Sequence, residues 1–207
     1  MAATDHASAG SGRRSSRISP AALVELVCEA RRIDRAVYRA VTATRTPVLD
    51  TVAGSISRAA DRSRISICVG LALAIAGGPR ERRAAVAGLS SVAVTSASVN
   101  LLAKPMLGRA RPERPDRVAA SATGVRMPRS ASFPSGHAAS AVAFAAGLGR
   151  ELPSAAAPAH ALAALVGYSR VHTGVHYPSD VIAGGVIGAA IADVVGTVLS
   201  RRRGGSA

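Results

Sequence analysis

The sequence predicts an all-α fold: an integral-membrane bundle of five or six helices that follows an N-terminal amphipathic helix. Three observations predict it. Apolar residues make up 48% of the 207, and they concentrate in five segments with almost no charge. Those segments are rich in Gly, Ala and Ser, which let helices pack closely inside a bilayer. The basic residues gather between and beyond the segments, where charges mark the ends of membrane-spanning helices.

The overall composition excludes several other classes of protein. The chain holds 25 arginines, one lysine and 12 acidic residues, for a formal net charge of +14. That charge alone is compatible with nucleic acid binding. However, the aromatic residues that stack on bases make up only 2% of the chain, and the basic clusters flank apolar segments, so no nucleic acid partner is expected. The apolar content excludes a disordered chain, and two cysteines cannot build a disulfide framework.

The N-terminal region differs in composition from the rest. Residues 1–18 are mostly Ser, Gly, Ala and Arg and are predicted to be a disordered tail. The region 19–63 is predicted to be helical and amphipathic, with Ser19 as the N-cap before a proline. One helical face is apolar, and another carries arginines four residues apart: Arg31, Arg35 and Arg39. The proline after Thr46 ends this helix. The helix either lies on a membrane surface, with its arginines against anionic lipids, or packs on the bundle.

The bundle domain is predicted over residues 64–200, with a basic tail at 201–207. It contains the five apolar segments: Ile65–Gly78, Ala84–Ala103, Ala138–Gly149, Leu152–Ser169 and Val181–Ser200. A membrane-spanning helix needs about 20 residues. The second and fifth segments reach that length, the fourth nearly does, and the first and third are shorter. The short segments also suit a soluble bundle, but the number of segments and their small residues favour a membrane protein.

Three short motifs hold most of the unusual polar residues of the second half, and each lies at the end of an apolar segment. They are Lys104, six residues and Arg111-Pro112; then Pro134-Ser135-Gly136-His137; then Ser169-Arg170, five residues, His176, three residues and Asp180. In an up-and-down bundle, the segment ends that carry these motifs share one face. The three motifs are therefore predicted to form one site.

The residue types in these motifs suit a phosphate group. Lys104, Arg111 and Arg170 provide three fixed positive charges, which match a dianionic phosphate. Ser135 and Gly136 lie where a helix begins, so their free N–H groups and the helix dipole also favour an anion. These five residues are the candidate phosphate-binding residues.

Two histidines lie beside the predicted phosphate site. His176 precedes Asp180 by four residues, so one helical turn would let the carboxylate hold one ring nitrogen and leave the other as a nucleophile. His137 is then available to protonate the leaving oxygen. The candidate catalytic residues are therefore His176, Asp180 and His137. The sequence offers no cluster of carboxylates for a metal, so neither a metal nor another cofactor is expected.

The three motifs resemble, in residue identity, order and spacing, the signature of the type-2 phosphatidic acid phosphatase superfamily. That superfamily also includes vanadium haloperoxidases and some bacterial acid phosphatases. The resemblance covers roughly residues 60–200, and the third motif looks closest to actinobacterial members. It implies that His176 attacks phosphorus and forms a phosphohistidine, with Asp180 orienting it. It also implies that His137 acts as acid for the lipid leaving group and then as base for water, while the five candidate residues bind phosphoryl oxygens.

Together these inferences predict a metal-independent phosphoric ester or lipid pyrophosphate hydrolase in a cell membrane that the chain crosses several times. The expected substrate is phosphatidic acid or a polyprenyl phosphate or pyrophosphate, and the bilayer with its anionic lipids is the expected partner. Two alternatives stay open. One is a soluble acid phosphatase or vanadate-dependent haloperoxidase with the same phosphate site. The other is a non-enzymatic membrane scaffold that binds anionic lipids.

Several other polar residues receive structural interpretations. His172, four residues before His176, is predicted to form a hydrogen bond rather than to bind a metal, because no third ligand is evident. Asp193, an acid within an apolar segment, is predicted to have a pairing or capping role towards Arg201–Arg203 rather than a catalytic one. Five arginines form either a solvated loop face or a patch that gathers anionic lipid: Arg109, Arg114, Arg117, Arg126 and Arg129.

Overall fold

The protein is all-α over the residues that its computed structural model describes, 19–114 and 123–205. In the described residues, seven long helices follow one another: α1 Pro20–Ala43, α2 Pro47–Ala59, α3 Arg64–Ala76, α4 Pro79–Ala97, α5 Gly136–Glu151, α6 Ala156–His172 and α7 Pro178–Gly204. The predicted all-α class is confirmed. The disordered tail predicted at 1–18 lies outside the described residues.

The described part of the chain divides into two compact units, with the boundary between Ile33 and Asp34. In the first unit, the Ser19 hydroxyl accepts a hydrogen bond from the N–H of Ala22 at 3.1 Å, so the predicted N-cap is confirmed. In the second unit, the Thr46 hydroxyl caps α2 by accepting from the N–H of Leu49 at 3.2 Å. The chain therefore breaks between α1 and α2 at the predicted position.

Each of the five apolar segments forms one helix of the second unit, α3 to α7. Two 3-10 turns, Asp61–Ser63 and Pro153–Ala155, precede α3 and α6. Helix α4 continues through a π-helical stretch, Ser98–Ala103, into a last turn, Lys104–Leu107. Helix α7 extends into the predicted basic tail, so Arg201–Arg203 lie in its last turn, where positive charge complements the helix dipole.

Helix α5 is the centre of the bundle, because it packs against α4, α6 and α7. Its contact with α7 depends on glycine. A Cβ atom added at Gly188 would lie 2.1 Å from the carbonyl oxygen of Ala139, and one added at Gly184 would lie 2.5 Å from that of Ser135. The two helix backbones are thus closer than any side chain at these positions permits, as in other small-residue contacts between helices.

An ion pair also connects α5 and α7. Asp193 pairs with Arg150 of α5. The predicted pairing role of Asp193 at the Arg201–Arg203 end of the helix is therefore confirmed. The partner is a guanidinium of α5, whose neighbour Glu151 pairs with Arg203.

Two helical stretches among the described residues are long and apolar enough to cross a membrane. Pro79–Leu107 has 29 residues and a mean hydropathy of 1.5, and Pro178–Gly204 has 27 residues and a mean hydropathy of 2.0. Helices α3, α5 and α6 have 13, 16 and 17 residues, so they are shorter than the roughly 20 residues of an ordinary span. The short predicted segments remain short as helices.

Candidate active site

The three sequence motifs meet at one end of the bundle, as the order of the segments predicts. A Cβ atom added at Gly136 of the second motif would lie 3.7 Å from Nζ of Lys104 in the first. Nη1 of Arg111 in the first motif lies 3.3 Å from Nε2 of His176 in the third. Residues far apart in the sequence therefore surround one space.

Arg111 is fixed by the backbone around it. Its Nη1 donates to the carbonyl oxygen of Val175 at 2.7 Å, and its Nε donates to that of Ser130 at 2.9 Å. Its Nη2 donates to the carbonyl oxygen of Ala131 at 3.2 Å. Burial lowers the pKa of the Arg111 guanidinium, and the Asp180 carboxylate opposes that change. The fixed guanidinium lies directly beside a ring nitrogen of His176.

Lys104 and Arg170 supply the other two positive charges of the predicted phosphate site and form a cationic triad with Arg111. Lys104 follows the π-helical stretch of α4, and its Nζ lies 3.4 Å from Oγ of Ser130. Arg170 is 2% exposed, and its Nη1 donates to Oγ of Ser57 at 2.5 Å. Within residues 19–114 and 123–205, Nε of Arg170 has no hydrogen-bond partner. A buried cation with an unused donor is suited to an anionic ligand.

The second motif forms the start of α5, but not all of its backbone N–H groups are free to bind a ligand. Ser135 is the N-cap, and its hydroxyl lies 3.5 Å from the N–H of Ala138. The N–H of Ser135 donates to the carbonyl oxygen of Asp180 at 2.9 Å. The expectation of a free N–H at Ser135 is therefore wrong, because the start of α7 already occupies it. Gly136, the first residue of the helix, keeps the orphan N–H that a helix start provides.

His176 lies in the loop between α6 and α7 and is 1% exposed. The N–H groups of Val175 and His176 both donate to the carbonyl oxygen of Arg170, at 3.1 and 3.2 Å. Gly174 allows this tight loop because its φ of 71° suits a residue without a Cβ. Burial lowers the pKa of His176 to about 4, although the Asp180 carboxylate beside it acts in the opposite direction. The imidazole is thus neutral at neutral pH.

Asp180 holds His176, although not within a shared helical turn. Helix α7 begins at Pro178, after His176, and Asp180 lies in its first turn. The Asp180 Oδ2 lies 3.5 Å from Nδ1 of His176 and accepts from the N–H of Tyr177 at 2.9 Å. The predicted pairing of the carboxylate with one ring nitrogen is therefore found, but it is made by a carboxylate that reaches back from the helix start.

Arg109 is a site residue that the sequence did not identify. Its Nη1 donates to Oδ1 of Asp180 at 2.8 Å, and its Nη2 donates to Oδ2 of Asp34 at 2.7 Å. Its guanidinium also lies 4.2 Å from the centre of the Tyr177 ring. Asp34 in turn accepts from the N–H of Ser179 at 2.9 Å. Neither interpretation of Arg109, a solvated loop face or a lipid-gathering patch, describes this bridge between two carboxylates.

The other arginines predicted for the same loop differ in their placement. Nη1 of Arg114 donates to the carbonyl oxygen of Val125 at 2.8 Å, so this side chain binds the backbone of the loop. Arg126 and Arg129 are exposed. Arg117 lies outside the described residues.

Asp61 is a second unforeseen residue, and it contacts His137. Oδ1 of Asp61 lies 2.9 Å from Nε2 of His137 and 3.9 Å from Nη1 of Arg170. Asp61 comes from the 3-10 turn before α3, in a stretch of chain where the sequence offered no recognisable motif. Only the folded arrangement of α2, α3 and α5 reveals it.

His172 forms the other buried histidine–aspartate pair. Its Nε2 lies 2.7 Å from Oδ1 of Asp50 in α2, and its Nδ1 lies 3.4 Å from the Tyr168 hydroxyl. The predicted hydrogen-bonding role of His172 is confirmed. Among the described residues, no group of three or more His, Cys, Asp or Glu side chains could hold a metal ion.

An apolar cleft begins at His137 and runs between α3, α5 and α6, with a volume of about 280 Å³. Its polar lining residues are Ser63, Ser66, His137 and Ser140. Large apolar side chains line the rest: Val69, Leu73, Phe144, Leu148, Leu162 and Val166. The polar site and the apolar cleft therefore share one residue, His137.

Comparison with known proteins identifies a family and relatives of this chain. The family model of the PAP2 superfamily matches residues 84–203. A decaprenylphosphoryl-5-phosphoribose phosphatase of Mycobacterium tuberculosis is 39% identical over 140 residues, which cover 63% of this chain and 72% of that protein.

Two solved structures share the fold. A transmembrane PAP2-type phosphatidylglycerolphosphate phosphatase from Bacillus subtilis has a TM-score of 0.65 at 24% identity, over 84% of this chain and 87% of that one. Aquifex aeolicus LpxE has a TM-score of 0.56 at 22% identity, over 77% of this chain and 92% of that one. The matched family segment contains all three motifs that surround the site. The chain thus belongs to the PAP2 superfamily, and it is a phosphatase, a hydrolase of phosphoric esters.

Proposed function

We propose that this phosphatase hydrolyses a membrane lipid phosphate, phosphatidic acid or a polyprenyl phosphate or pyrophosphate, through a phosphohistidine on His176. One observation carries the proposal: His137 belongs both to the polar site and to the apolar cleft. A phosphate held by the cationic triad would have its ester oxygen at His137 and its apolar chain in the cleft. A small polar phosphate ester would leave the apolar side chains of the cleft exposed to water, which is unfavourable.

In the first step, the neutral Nε2 of His176 attacks phosphorus. The Asp180 carboxylate, 3.5 Å from Nδ1, holds the ring and stabilises the positive charge that forms on it. Arg111, 3.3 Å from Nε2, would bind a phosphoryl oxygen beside the new P–N bond, and Lys104 and Arg170 would bind the others. The P–O bond to the lipid breaks, and His137 gives its proton to the departing oxygen.

In the second step, His137 accepts a proton from a water molecule, whose oxygen attacks the phosphorus of the phosphohistidine. The P–N bond breaks, inorganic phosphate leaves, and His176 returns to its neutral form. The N–H of Gly136 at the start of α5 would bind an equatorial oxygen in both steps. Ser135 would act here through its place as the N-cap of α5 rather than through its N–H.

The choice of lipid is guided by the mycobacterial relative, whose name describes a phosphatase for a phosphoribose attached to a decaprenyl phosphate. The apolar lining of the cleft would also suit a polyprenyl chain. We therefore place polyprenyl-linked phosphates before phosphatidic acid as substrates. The bundle at 64–200 would be the catalytic domain, and residues 34–63 would complete it through Asp34, Asp50 and Asp61.

Phosphate release from the purified protein in detergent tests this proposal. The panel contains a polyprenyl phosphate, a polyprenyl pyrophosphate, a polyprenyl-linked phosphoribose, phosphatidic acid and phosphatidylglycerol phosphate. We expect release from at least one lipid and its loss in the variant His176→Ala. The matched control is His160→Ala, which removes a histidine from the exposed face of α6. A His176→Ala protein that releases phosphate at the normal rate contradicts the proposal.

A rapid quench in base tests the covalent intermediate. The P–N bond of phosphohistidine survives base and is lost in acid, so wild-type protein should carry base-stable label from radioactive substrate. The variant His137→Gln should accumulate more of it with an activated substrate, because the base for water is missing. Absence of label in both proteins contradicts the covalent route.

Two further measurements address the membrane and the metal. We propose that the chain crosses the cell membrane several times and contacts anionic lipids, so it should stay in the membrane fraction after lysis without detergent. A protein found wholly in the supernatant would favour the soluble acid phosphatase or haloperoxidase alternative. The proposed chemistry uses only groups of the protein, so EDTA should leave the rate unchanged. The scaffold alternative is set aside because the chain is a phosphatase.

A further inference from the structure

Asp61 makes a contact to which the proposed mechanism assigns no role. Its carboxylate lies 2.9 Å from Nε2 of His137, the residue that would protonate the leaving oxygen. Three other charged or titratable groups lie nearby: Arg170 of α6 and His176 of the loop before α7 act on His137, and Lys104 lies next to Gly136. All three are basic. Among the described residues, Asp61 is therefore the carboxylate that faces this histidine.

The turn that carries Asp61 is held in an unusual backbone conformation. Arg62 has φ 53° and ψ 31°, and Ser63 has φ 57° and ψ 25°. Both residues lie in the left-handed region, which non-glycine residues rarely adopt because it is sterically strained. The chain thus keeps two strained residues directly after Asp61. Strain of this kind is found where a side chain must be presented in a fixed place.

The contact has a defined chemical consequence for His137. A carboxylate on Nε2 fixes this nitrogen as the one that carries a proton, and it stabilises the ring when both nitrogens are protonated. The proton on Nδ1 is then the one available for transfer. After transfer, the ring stays bound to Asp61 as the Nε2–H tautomer, and Nδ1 can accept a proton from water.

We propose that Asp61 is a positioning residue for His137, so that each of the two histidines works with its own carboxylate, Asp180 for His176 and Asp61 for His137. The inference rests on the proposed function, because it assigns His137 to proton transfer. Asp61 lies before the segment 84–203 that the family model matches, so this part of the site would be contributed by the N-terminal region of the chain.

The test separates proton transfer from phosphate binding by changing the leaving group. Two substrates are compared in detergent: an alkyl phosphate, and a nitrophenyl phosphate that bears an alkyl chain of the same length. An alkoxide needs a proton to leave, whereas a nitrophenolate leaves without one. We expect Asp61→Asn to lower kcat for the alkyl phosphate by about 10²-fold, the lower end of what a general acid contributes, and to lower kcat for the nitrophenyl phosphate less than threefold.

A matched control uses the third histidine–aspartate pair, His172 and Asp50. Asp50→Asn makes the same chemical change at a contact of 2.7 Å to His172, away from His137. Its effect on the two substrates should be equal. An Asp61→Asn variant that is unaffected on both substrates, or affected equally on both, overturns the proposal. Equal loss is the result expected if Asp61 acts through Arg170, since Arg170 would bind the phosphoryl group of either substrate.

A double-mutant cycle gives an independent measure. In a His137→Gln background, Asp61→Asn should cause no further loss with the alkyl phosphate, because its partner is gone. A further loss as large as in the wild-type background overturns the proposal. Asp61→Glu, which keeps the charge, should retain more alkyl phosphate activity than Asp61→Asn, and the reverse order overturns the proposal as well. A wild-type protein inactive on both substrates contradicts the proposed function itself.

Discussion

Arg109 donates from Nη1 to Oδ1 of Asp180 at 2.8 Å, so the buried carboxylate beside His176 is bound by a cation from the loop after α4. The other end of the same guanidinium binds Asp34 in the C-terminal half of α1 at 2.7 Å. A chain of charged contacts therefore runs from α1 through the loop to the start of α7. The position of the Asp180 carboxylate therefore depends on α1, a helix that contains none of the three motifs.

Replacing Arg109 by Gln should reduce both activity and stability. The variant keeps a donor but removes the charge between Asp34 and Asp180, and leaving a buried carboxylate without its partner costs about 1–3 kcal/mol. We expect kcat to fall by up to about 10²-fold, the effect of a small misplacement of a reacting group, with KM little changed. Phosphate release and thermal unfolding in detergent measure the two effects. Arg126→Gln, at an exposed site, is the control and should change neither. Equal behaviour of the two variants would show that the Arg109 bridge is dispensable.

The ionisation of His176 should be visible in a pH titration. Burial lowers its pKa to about 4 from the 6.5 of a free histidine. The folded state favours the neutral imidazole of His176. The stability that depends on this neutral ring is therefore fully present above about pH 6.5 and is lost as pH falls towards 4. In NMR spectra of protein with labelled histidine, the His176 signal, assigned by its absence in His176→Gln, should stay in the neutral position at pH 5.5. A midpoint near 6.5 would contradict the environment described.

The stability of the same variant provides a second readout. Between pH 6.5 and 4 the wild-type protein should lose more thermal stability than His176→Gln, because the variant lacks the group whose protonation opposes folding. Parallel losses in the two proteins would assign the acid sensitivity to other groups.

The helices and the three motifs were predictable because both leave local signals. Apolar runs with almost no charge located α3 to α7, and the alternating directions of successive helices brought Lys104, His137 and Asp180 to one end. Asp34, Asp61 and Arg109 left no such signal. Each is a common charged residue in a turn, a loop or an amphipathic helix, and its role depends on which distant side chain the tertiary packing places within 3 Å.

Backbone hydrogen bonds between distant segments also could not be predicted from the sequence. The start of a helix usually offers free N–H groups, and Ser135 was assigned one on that basis. In the fold, Gly184 lets α7 approach so closely that the carbonyl oxygen of Asp180 takes the Ser135 N–H at 2.9 Å. A residue pattern can indicate a helix start, but it cannot reveal what packs on it.

The Asp50–His172 contact should be structural rather than catalytic. Both side chains are buried, and the contact of 2.7 Å joins α2 to α6. Asp50→Asn should lower the free energy of unfolding by about 1–3 kcal/mol, since it weakens one buried hydrogen bond. Thermal unfolding in detergent measures this, with Arg83→Gln as the control. Arg83 forms a half-exposed ion pair at 3.6 Å, and its loss should cost at most about 1 kcal/mol. A stable Asp50→Asn protein that fails only in catalysis would contradict the structural role.

Replacement by alanine should change the stability of the protein differently at two nearby glycines of α7. At Gly188 a Cβ would lie 2.1 Å from the carbonyl oxygen of Ala139, so Gly188→Ala must push α7 away from α5 and should cost about 1–3 kcal/mol. At Gly185 the nearest atom would be Cγ2 of Val142 at 3.5 Å, an ordinary contact. Gly185→Ala should therefore be neutral or stabilise the helix by up to about 1 kcal/mol. Because Ser135 and Asp180 lie at the start of this helix pair, Gly188→Ala should also lower kcat. Thermal unfolding and phosphate release of the two variants check both effects, and a stable, fully active Gly188→Ala protein would contradict the close approach of α5 and α7.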